Sequence, residues 1–198
     1  EQLTEQLADG TTSVVPENGG IKIGIDSETY KSRCLKQLKA WNAPVSGWLC
    51  VDMYDVVGNK DDAALFICEL CQCPKVRYVH VLRHPEYFED IHVGCICAGI
   101  MEGDILAAKE REREMKNRVK RKQNYLKRKW RLSANGNRIM RYKGRLITIM
   151  PSKYGNNEFG VICDGQCVWR YKGKKIENFL AAVHVAFDLI DPPIGGRP

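Results

Sequence analysis

The chain carries Cys68-Glu69-Leu70-Cys71 and, about two dozen residues later, Cys95-Ile96-Cys97. Two thiol pairs at this separation, with strand-like sequence between them, are typical of a structural metal site, because zinc prefers four tetrahedral sulfur or nitrogen ligands. A Cys-x2-Cys turn directs two thiolates at one ion, and a second pair where a strand meets a helix gains from the positive end of the helix dipole. The pattern predicts a zinc ion held by Cys68, Cys71, Cys95 and Cys97.

Four thiolates leave no coordination position for a reactive water, so the predicted zinc is structural and not catalytic. A helix start usually presents Cys-x2-Cys, whereas Cys95 and Cys97 are separated by a single residue. Four neighbouring side chains therefore stay open as substitute ligands: Cys73, His80, His84 and His92. The remaining cysteines are predicted to be buried small hydrophobic residues, with a second metal or redox pair at Cys163 and Cys167 left open; they are Cys34, Cys50, Cys163 and Cys167.

Composition excludes some classes of protein. The 198 residues allow one domain or two small ones, and no stretch reaches the roughly 20 apolar residues of a membrane helix. The polar, acidic start lacks a signal-peptide pattern, which predicts a cytoplasmic protein without membrane contact. Nine cysteines in a reducing compartment favour metal binding over disulfides.

Hydrophobic periodicity predicts an α+β fold with a treble-clef-like zinc module, a long basic helix and a C-terminal antiparallel sheet with one packed helix. The predicted segments are a flexible acidic tail (1–25), an N-terminal helix with the zinc-binding β module (26–104), the basic helix (105–132) and the sheet-plus-helix module (133–192). Within them we expect helices over 26–41, 98–132 and 176–190, and strands over 48–51, 54–57, 76–82, 91–96, 139–142, 146–150, 159–163 and 167–171.

Three motifs follow one another: Cys-Glu-Leu-Cys at 68–71, Val-Arg-Tyr-Val-His-Val-Leu-Arg-His-Pro at 76–85, and Val-Gly-Cys-Ile-Cys-Ala-Gly at 93–99. Together they resemble a zinc module of uncharacterised bacterial and phage or mobile-element proteins. The resemblance covers residues 68 to about 135 and implies a zinc fold without an established activity. In that pattern the last cysteine matches Cys97 and Cys95 has no firm counterpart, which raises His80 or His84 as the fourth ligand.

Charge points to a polyanionic partner. The net charge is +7, but residues 1–30 hold six acids and one lysine, so that segment carries −5 and the remainder +12. Nine Lys or Arg residues and no acid lie between Lys116 and Arg131. Cations on one face attract nucleic acid because each neutralised phosphate releases counterions. The predicted nucleic-acid contacts are Lys116, Arg118, Lys120, Arg121, Lys122, Lys127, Arg128, Arg141, Lys143, Arg145, Arg170 and Lys172.

Residues 138–190 resemble, in outline, the sheet-plus-helix DNA-binding domains of phage integrase arms and plant transcription factors. Double-stranded RNA-binding domains are also small α/β modules, so both DNA and RNA stay open as targets. Two other functions are considered: an adaptor for an acidic protein partner, and a metal-dependent nuclease of the HNH type with His80 as general base and His84, Glu86 or His92 as metal ligands. No catalytic residue is assigned, and an enzyme is the less favoured interpretation.

Overall fold

The computed structural model describes residues 26–58, 64–154 and 157–193. The predicted tail at 1–25 lies outside this part of the chain. The described residues form four helices and ten strands, which establishes a mixed α+β fold. The helices are α1 (Asp26–Ala40), α2 (Cys95–Glu102), α3 (Ile105–Leu126) and α4 (Phe179–Ile190). The strands are β1 (Leu49–Asp55), β2 (Tyr78–Arg83), β3 (Ile91–Val93), β4 (Arg131–Leu132), β5 (Arg138–Tyr142), β6 (Arg145–Pro151), β7 (Phe159–Cys163), β8 (Gln166–Val168), β9 (Arg170–Tyr171) and β10 (Lys174–Lys175).

The N-terminal half is organised around a three-stranded antiparallel sheet in the order β1-β2-β3. β2 is the central strand, and four consecutive residues from Val79 to Leu82 are buried, so both of its faces pack against protein. α1, α2 and the start of α3 complete this first core, whose largest buried side chains include Trp48, Leu38 and Met101.

The C-terminal half contains a five-stranded antiparallel sheet in the order β4-β5-β6-β7-β8, with α4 packed on β6 and β7. Alternate residues of the three central strands face α4, because successive side chains of a strand point to opposite faces. Ile147, Ile149, Val161 and Phe187 form this second core together with Tyr125 from α3. Since Ala108 belongs to the first core and Tyr125 to the second, α3 connects the two.

The single helix expected over 98–132 is wrong, because the structure divides it into α2 and α3. Gly103 adopts a left-handed φ of 80° after α2, and the side chain of Asp104 then accepts a hydrogen bond from the Ala107 amide to begin α3. The two helices approach so closely at Gly99 that a Cβ there would lie 2.5 Å from the Cα of Ile105. Helix α3 also ends at Leu126, before the short strand β4.

Within the described residues, none of the helices combines the length and the apolar character that spanning a bilayer requires.

Candidate metal centres and basic groove

The first candidate metal centre is a sulfur group in the N-terminal core. The Sγ atoms of Cys68, Cys71 and Cys97 all lie within 4.8 Å of one another, and these residues could hold a metal ion. Cys68 and Cys71 lie in the turn before β2, and Cys97 lies in the first turn of α2. Three of the four predicted ligands therefore meet at one point.

Backbone hydrogen bonds fix the Cys68–Cys71 turn. The Gln72 amide donates to the Cys68 carbonyl, and the Cys68 amide donates to the Cys73 carbonyl, at 2.8 and 2.9 Å. Gln72 has a φ of 61°, a left-handed conformation that folds the chain back sharply. The Gly94 amide, at the start of α2, also donates to the Cys68 sulfur at 3.5 Å. The turn and the helix start are thus joined through the sulfur itself.

The predicted ligand Cys95 lies in a different group from Cys68, Cys71 and Cys97. The reason is that α2 already begins at Cys95. Residues two apart on a helix point roughly 200° away from each other, so Cys95 and Cys97 face opposite sides. The prediction that all four cysteines share one ion fails at this residue.

A different cysteine adjoins the sulfur group. Cys34 of α1 is buried, as expected for it, but its Sγ lies 4.0 Å from that of Cys97. The hydroxyl of Tyr30, one turn earlier on α1, lies 3.0 Å from the same Cys97 sulfur. The sequence offers only a weak signal for this arrangement, namely that Cys34 shares the apolar face of α1 with Tyr30 and Leu38.

Two thiols of this region, Cys68 and Cys34, favour the thiolate form. The Cys97 thiol lowers the pKa of Cys68 to about 5, with backbone amides of Cys71 and Gly94 adding to the effect against the opposing influence of burial. The pKa of Cys34 is also lowered, chiefly by the Cys97 thiol. Conversely, the pKa of Cys97 is raised because it hydrogen-bonds to Cys34 and Cys68. A divalent cation displaces the protons of such thiols when they bind it as thiolates.

The second candidate group consists of His80 from β2, Cys95 from α2 and Glu112 from α3. Burial raises the pKa of Cys95 to about 12, and the Glu112 carboxylate adds to the rise. Burial also acts to raise the pKa of Glu112, but the proximity of His80 and Lys116 lowers it to about 2. The group therefore combines an ionised carboxylate with a protonated thiol.

His80 is completely buried, so it cannot meet a nucleic-acid substrate as the general base of the nuclease alternative. The other histidines named for that alternative have different partners. Nδ1 of His92 lies 3.0 Å from the Tyr54 hydroxyl, and Nδ1 of His84 accepts a hydrogen bond from the Glu86 amide. Cys163 and Cys167 form no pair either: Cys167 stands opposite Ile162 on the outer face, whereas Cys163 is buried on the inner one.

Several predicted nucleic-acid contacts are instead engaged within the protein. Arg118 is buried and donates to the Asp188 carboxylate at 2.6 Å and to the Asp191 carbonyl at 2.7 and 2.9 Å. Its assignment as a phosphate contact is therefore corrected to an internal link between α3 and α4. Asp188, Asp191 and two further acids engage five more of the predicted contacts, in the ion pairs Arg121–Asp191, Lys143–Asp191, Lys122–Asp188, Lys116–Glu112 and Arg145–Asp164.

A basic groove of about 400 Å³ opens where the end of α3 meets β4, β5 and β6. Four cations and three apolar side chains line it, without an acidic residue: Arg128, Lys129, Arg131, Arg141, Ile139, Met140 and Leu146. Two of these, Arg128 and Arg141, are predicted contacts, whereas Lys129 and Arg131 lie in the acid-free run but are not among the twelve. The other predicted cations without an ion pair in the described part of the chain are exposed: Lys120, Lys127, Arg170 and Lys172.

Comparisons of this chain with protein-family models, with curated proteins and with solved structures find no match.

Proposed function

We propose that this chain is a zinc-stapled protein that binds nucleic acid in the basic groove at the end of α3. The observation that carries the proposal is the groove lining, in which four cations and no acid surround an apolar floor. Ion pairs within the protein engage most of the cations between Lys116 and Lys122. We therefore assign the proposed contact surface to residues 128–141.

For the metal we propose zinc with Cys34, Cys68, Cys71 and Cys97 as ligands. Thiolates select zinc among the common cations, and four of them close the site against water. The order of a Cys-x2-Cys turn, the β2–β3 hairpin and a helix carrying Cys97 in its first turn supports a treble-clef-like module. Cys34 takes the place first assigned to Cys95, so that the ion also ties α1 to the module.

The groove lining suits a phosphodiester chain. Arginine forks match phosphate oxygens in a bidentate way, and Arg128, Arg131 and Arg141 supply three of them. Leu146, half-exposed opposite Arg141 on the neighbouring strand, offers apolar contact for sugars or bases. Next to it the outer face of the sheet carries Thr148 and Met150 from β6, both partly exposed. The surface thus combines charge with apolar contact over adjacent strands.

The proposal is tested by reversing two groove charges together, Arg128→Glu with Arg141→Glu, and measuring affinity for duplex DNA, duplex RNA and single strands of each. The matched control is Lys31→Glu with Lys36→Glu, two exposed residues of α1 that change the net charge by the same amount. We expect the groove variant to lose at least about tenfold in affinity and the control to lose much less, because close contacts outweigh net charge.

Equal losses in the groove variant and the control would contradict the groove assignment. Zinc content and helix content, measured on each variant, show that the fold survives. Tight binding of a polyglutamate peptide, with weaker binding of every nucleic acid, would instead favour the adaptor for an acidic protein partner.

A further inference from the structure

The imidazole of His80 has an unusual environment. The residue is 0% exposed, and neither ring nitrogen has a hydrogen-bond partner among the described residues. Buried polar atoms in proteins are nearly always paired, so two such atoms on one ring require an explanation. His80 lies on the central strand β2, opposite Met53 of β1 and Val93 of β3.

Two metal-binding side chains converge on this ring. Cys95 at the start of α2 and Glu112 in the middle of α3 each bring one ligand atom within 4.8 Å of a His80 nitrogen and of each other. The three residues come from three different elements that pack together, and α2 packs extensively on α3. Imidazole, thiolate and carboxylate are all ligands that zinc accepts.

The distances fit a common ion better than a direct hydrogen bond. Nε2 of His80 lies 3.8 Å from Oε2 of Glu112, which exceeds hydrogen-bond length. An imidazole nitrogen and a carboxylate oxygen on one tetrahedral zinc lie roughly 3.3–3.5 Å apart, given bonds of about 2.0–2.2 Å. The observed separation exceeds that spacing by about 0.3 Å, so a small side-chain adjustment would bring both atoms to one ion.

A cysteine–histidine–glutamate catalytic relay has a different shape. In such a relay the cysteine and the carboxylate bind opposite nitrogens of the ring, so they lie about 7 Å apart. Here the Cys95 sulfur and a Glu112 oxygen lie within 4.8 Å. The group is a triangle with a common centre and not a line through the imidazole.

A neighbouring cation orients the carboxylate. Nζ of Lys116 lies 2.5 Å from Oε1 of Glu112, which leaves Oε2 directed toward His80. A hydrogen bond to the outer oxygen of a ligating carboxylate is a common way to fix a metal ligand. Lys116, assigned from sequence to phosphate binding, thus has a positioning role in this group.

We propose that His80, Cys95 and Glu112 bind a second zinc ion, separate from the ion at the sulfur group and independent of nucleic-acid binding. Three protein ligands leave the fourth position to a water molecule, so this ion exchanges more readily than one enclosed by four sulfurs. Cys95 and Cys97 then serve two ions on opposite sides of the first turn of α2.

The test is zinc content by elemental analysis of the full chain, purified with zinc and dialysed, for the wild type, Cys95→Ser and Glu112→Gln. We expect two zinc ions per chain in the wild type and one in each variant. Glu112→Gln preserves size and alters a side chain that is 19% exposed, so it is expected to fold even if a change at buried His80 is not tolerated. Glu114→Gln and Cys167→Ser, at exposed positions, are the matched controls and should retain two ions.

Cobalt(II) substitution identifies which ion is lost. Sulfur-to-cobalt absorption in the near ultraviolet grows with the number of thiolates, so Cys95→Ser should keep most of that band, whereas Cys68→Ser combined with Cys71→Ser should lose most of it. A single zinc ion per wild-type chain, unchanged in Cys95→Ser and Glu112→Gln, would overturn the proposal. So would two ions whose number is unaffected by both variants.

Discussion

The Sγ atoms of Cys34 and Cys97 lie 4.0 Å apart although 63 residues separate them in the chain. This contact joins α1 to the first turn of α2 and places a fourth sulfur beside the Cys68, Cys71 and Cys97 group. The Tyr30 hydroxyl, 3.0 Å from the Cys97 sulfur, lies on the same side. The proposed zinc ion in this position would connect the N-terminal helix to the module that follows it.

Replacing Cys34 tests that connection. We expect Cys34→Ser to lower zinc affinity at least about tenfold, because a hydroxyl is a poor substitute for a thiolate ligand. Competition with a chromophoric chelator measures the change. Cys167→Ser, at an exposed position on β8, is the control and should leave affinity unchanged. Equal affinities for both variants would mean that Cys34 is only a buried core residue.

Removal of the metal should affect the two cores unequally. The proposed sulfur ligands Cys34, Cys68 and Cys97 belong to the first core, while the second core is built from Tyr125, the β5–β7 strands and α4. Metal-binding free energy is folding free energy for the part that contains the ligands. We therefore expect EDTA to abolish amide-exchange protection in β1–β3 and α2 and to leave most of it in β6, β7 and α4. Equal loss in both parts, or in neither, would contradict this assignment.

The sequence predicts local structure in this chain better than the contacts between distant residues. Phe159–Cys163 is predicted with its observed bounds, and most other strands differ from prediction by a few residues. The strands predicted at 48–51 and 54–57 are the single strand β1, the one predicted at 167–171 is divided into β8 and β9, and β4 and β10 were not predicted. The break at Gly103 was missed because the apolar positions of α2 and α3 continue in helical spacing across it. The engagement of Cys34 was missed for another reason: a cysteine on an apolar helix face has the same pattern whether it packs or binds metal.

Arg118 holds α3 against α4. Its guanidinium contacts the Asp188 carboxylate and the Asp191 carbonyl, and it packs 5.1 Å from the centre of the Phe187 ring. Removing one partner of a buried ion pair leaves the other charge uncompensated. We expect Arg118→Ala to reduce the free energy of unfolding by about 3 kcal/mol, measured by urea denaturation. Lys120→Ala, exposed two residues later, should change it by less than about 0.5 kcal/mol.

The Asp191 carboxylate, which accepts hydrogen bonds from Arg121 and Lys143, gives the packing of α3 on α4 a pH dependence. Burial acts to raise its pKa, but Arg121 and Lys143 hold it below the ordinary value of 3.8. Because the folded state has the lower pKa, Asp191 stabilises the fold fully above the unfolded-state pKa, and this contribution is lost as pH falls through the folded pKa. The wild type should have a higher unfolding free energy than Asp191→Asn above pH 5, and this difference should shrink below pH 4.

Asp164→Asn, at an exposed residue paired with Arg145, is the control for that comparison. It should show a much smaller difference over the same pH range, because exposed ion pairs contribute little. Acid sensitivity of the thiolate ligands affects all three proteins alike and cancels in the difference. A constant Asp191→Asn effect down to pH 2 would contradict the proposed role of the carboxylate.

The acid-free run at 116–131 shows what the charge pattern of a sequence predicts and what it does not. The pattern identifies a region rich in cations, but it carries no information on where the acids of α4 will fall. Asp188 and Asp191, about 70 residues later, engage Arg118, Arg121 and Lys122. The cations of this run that line the groove, Arg128, Lys129 and Arg131, lie beyond the reach of the α4 acids. Only the tertiary structure separates internal ion pairs from an open surface.

The most direct test of the central claim is the salt dependence of duplex binding by the wild type and by Arg128→Gln with Arg141→Gln. Each neutralised phosphate contributes about −0.9 to the slope of log affinity against log salt. We predict a steep negative slope for the wild type and a slope shallower by about 1.8 for the variant, because two phosphate contacts are lost. Binding that does not depend on salt, or an identical slope for both proteins, would contradict nucleic-acid binding in the groove.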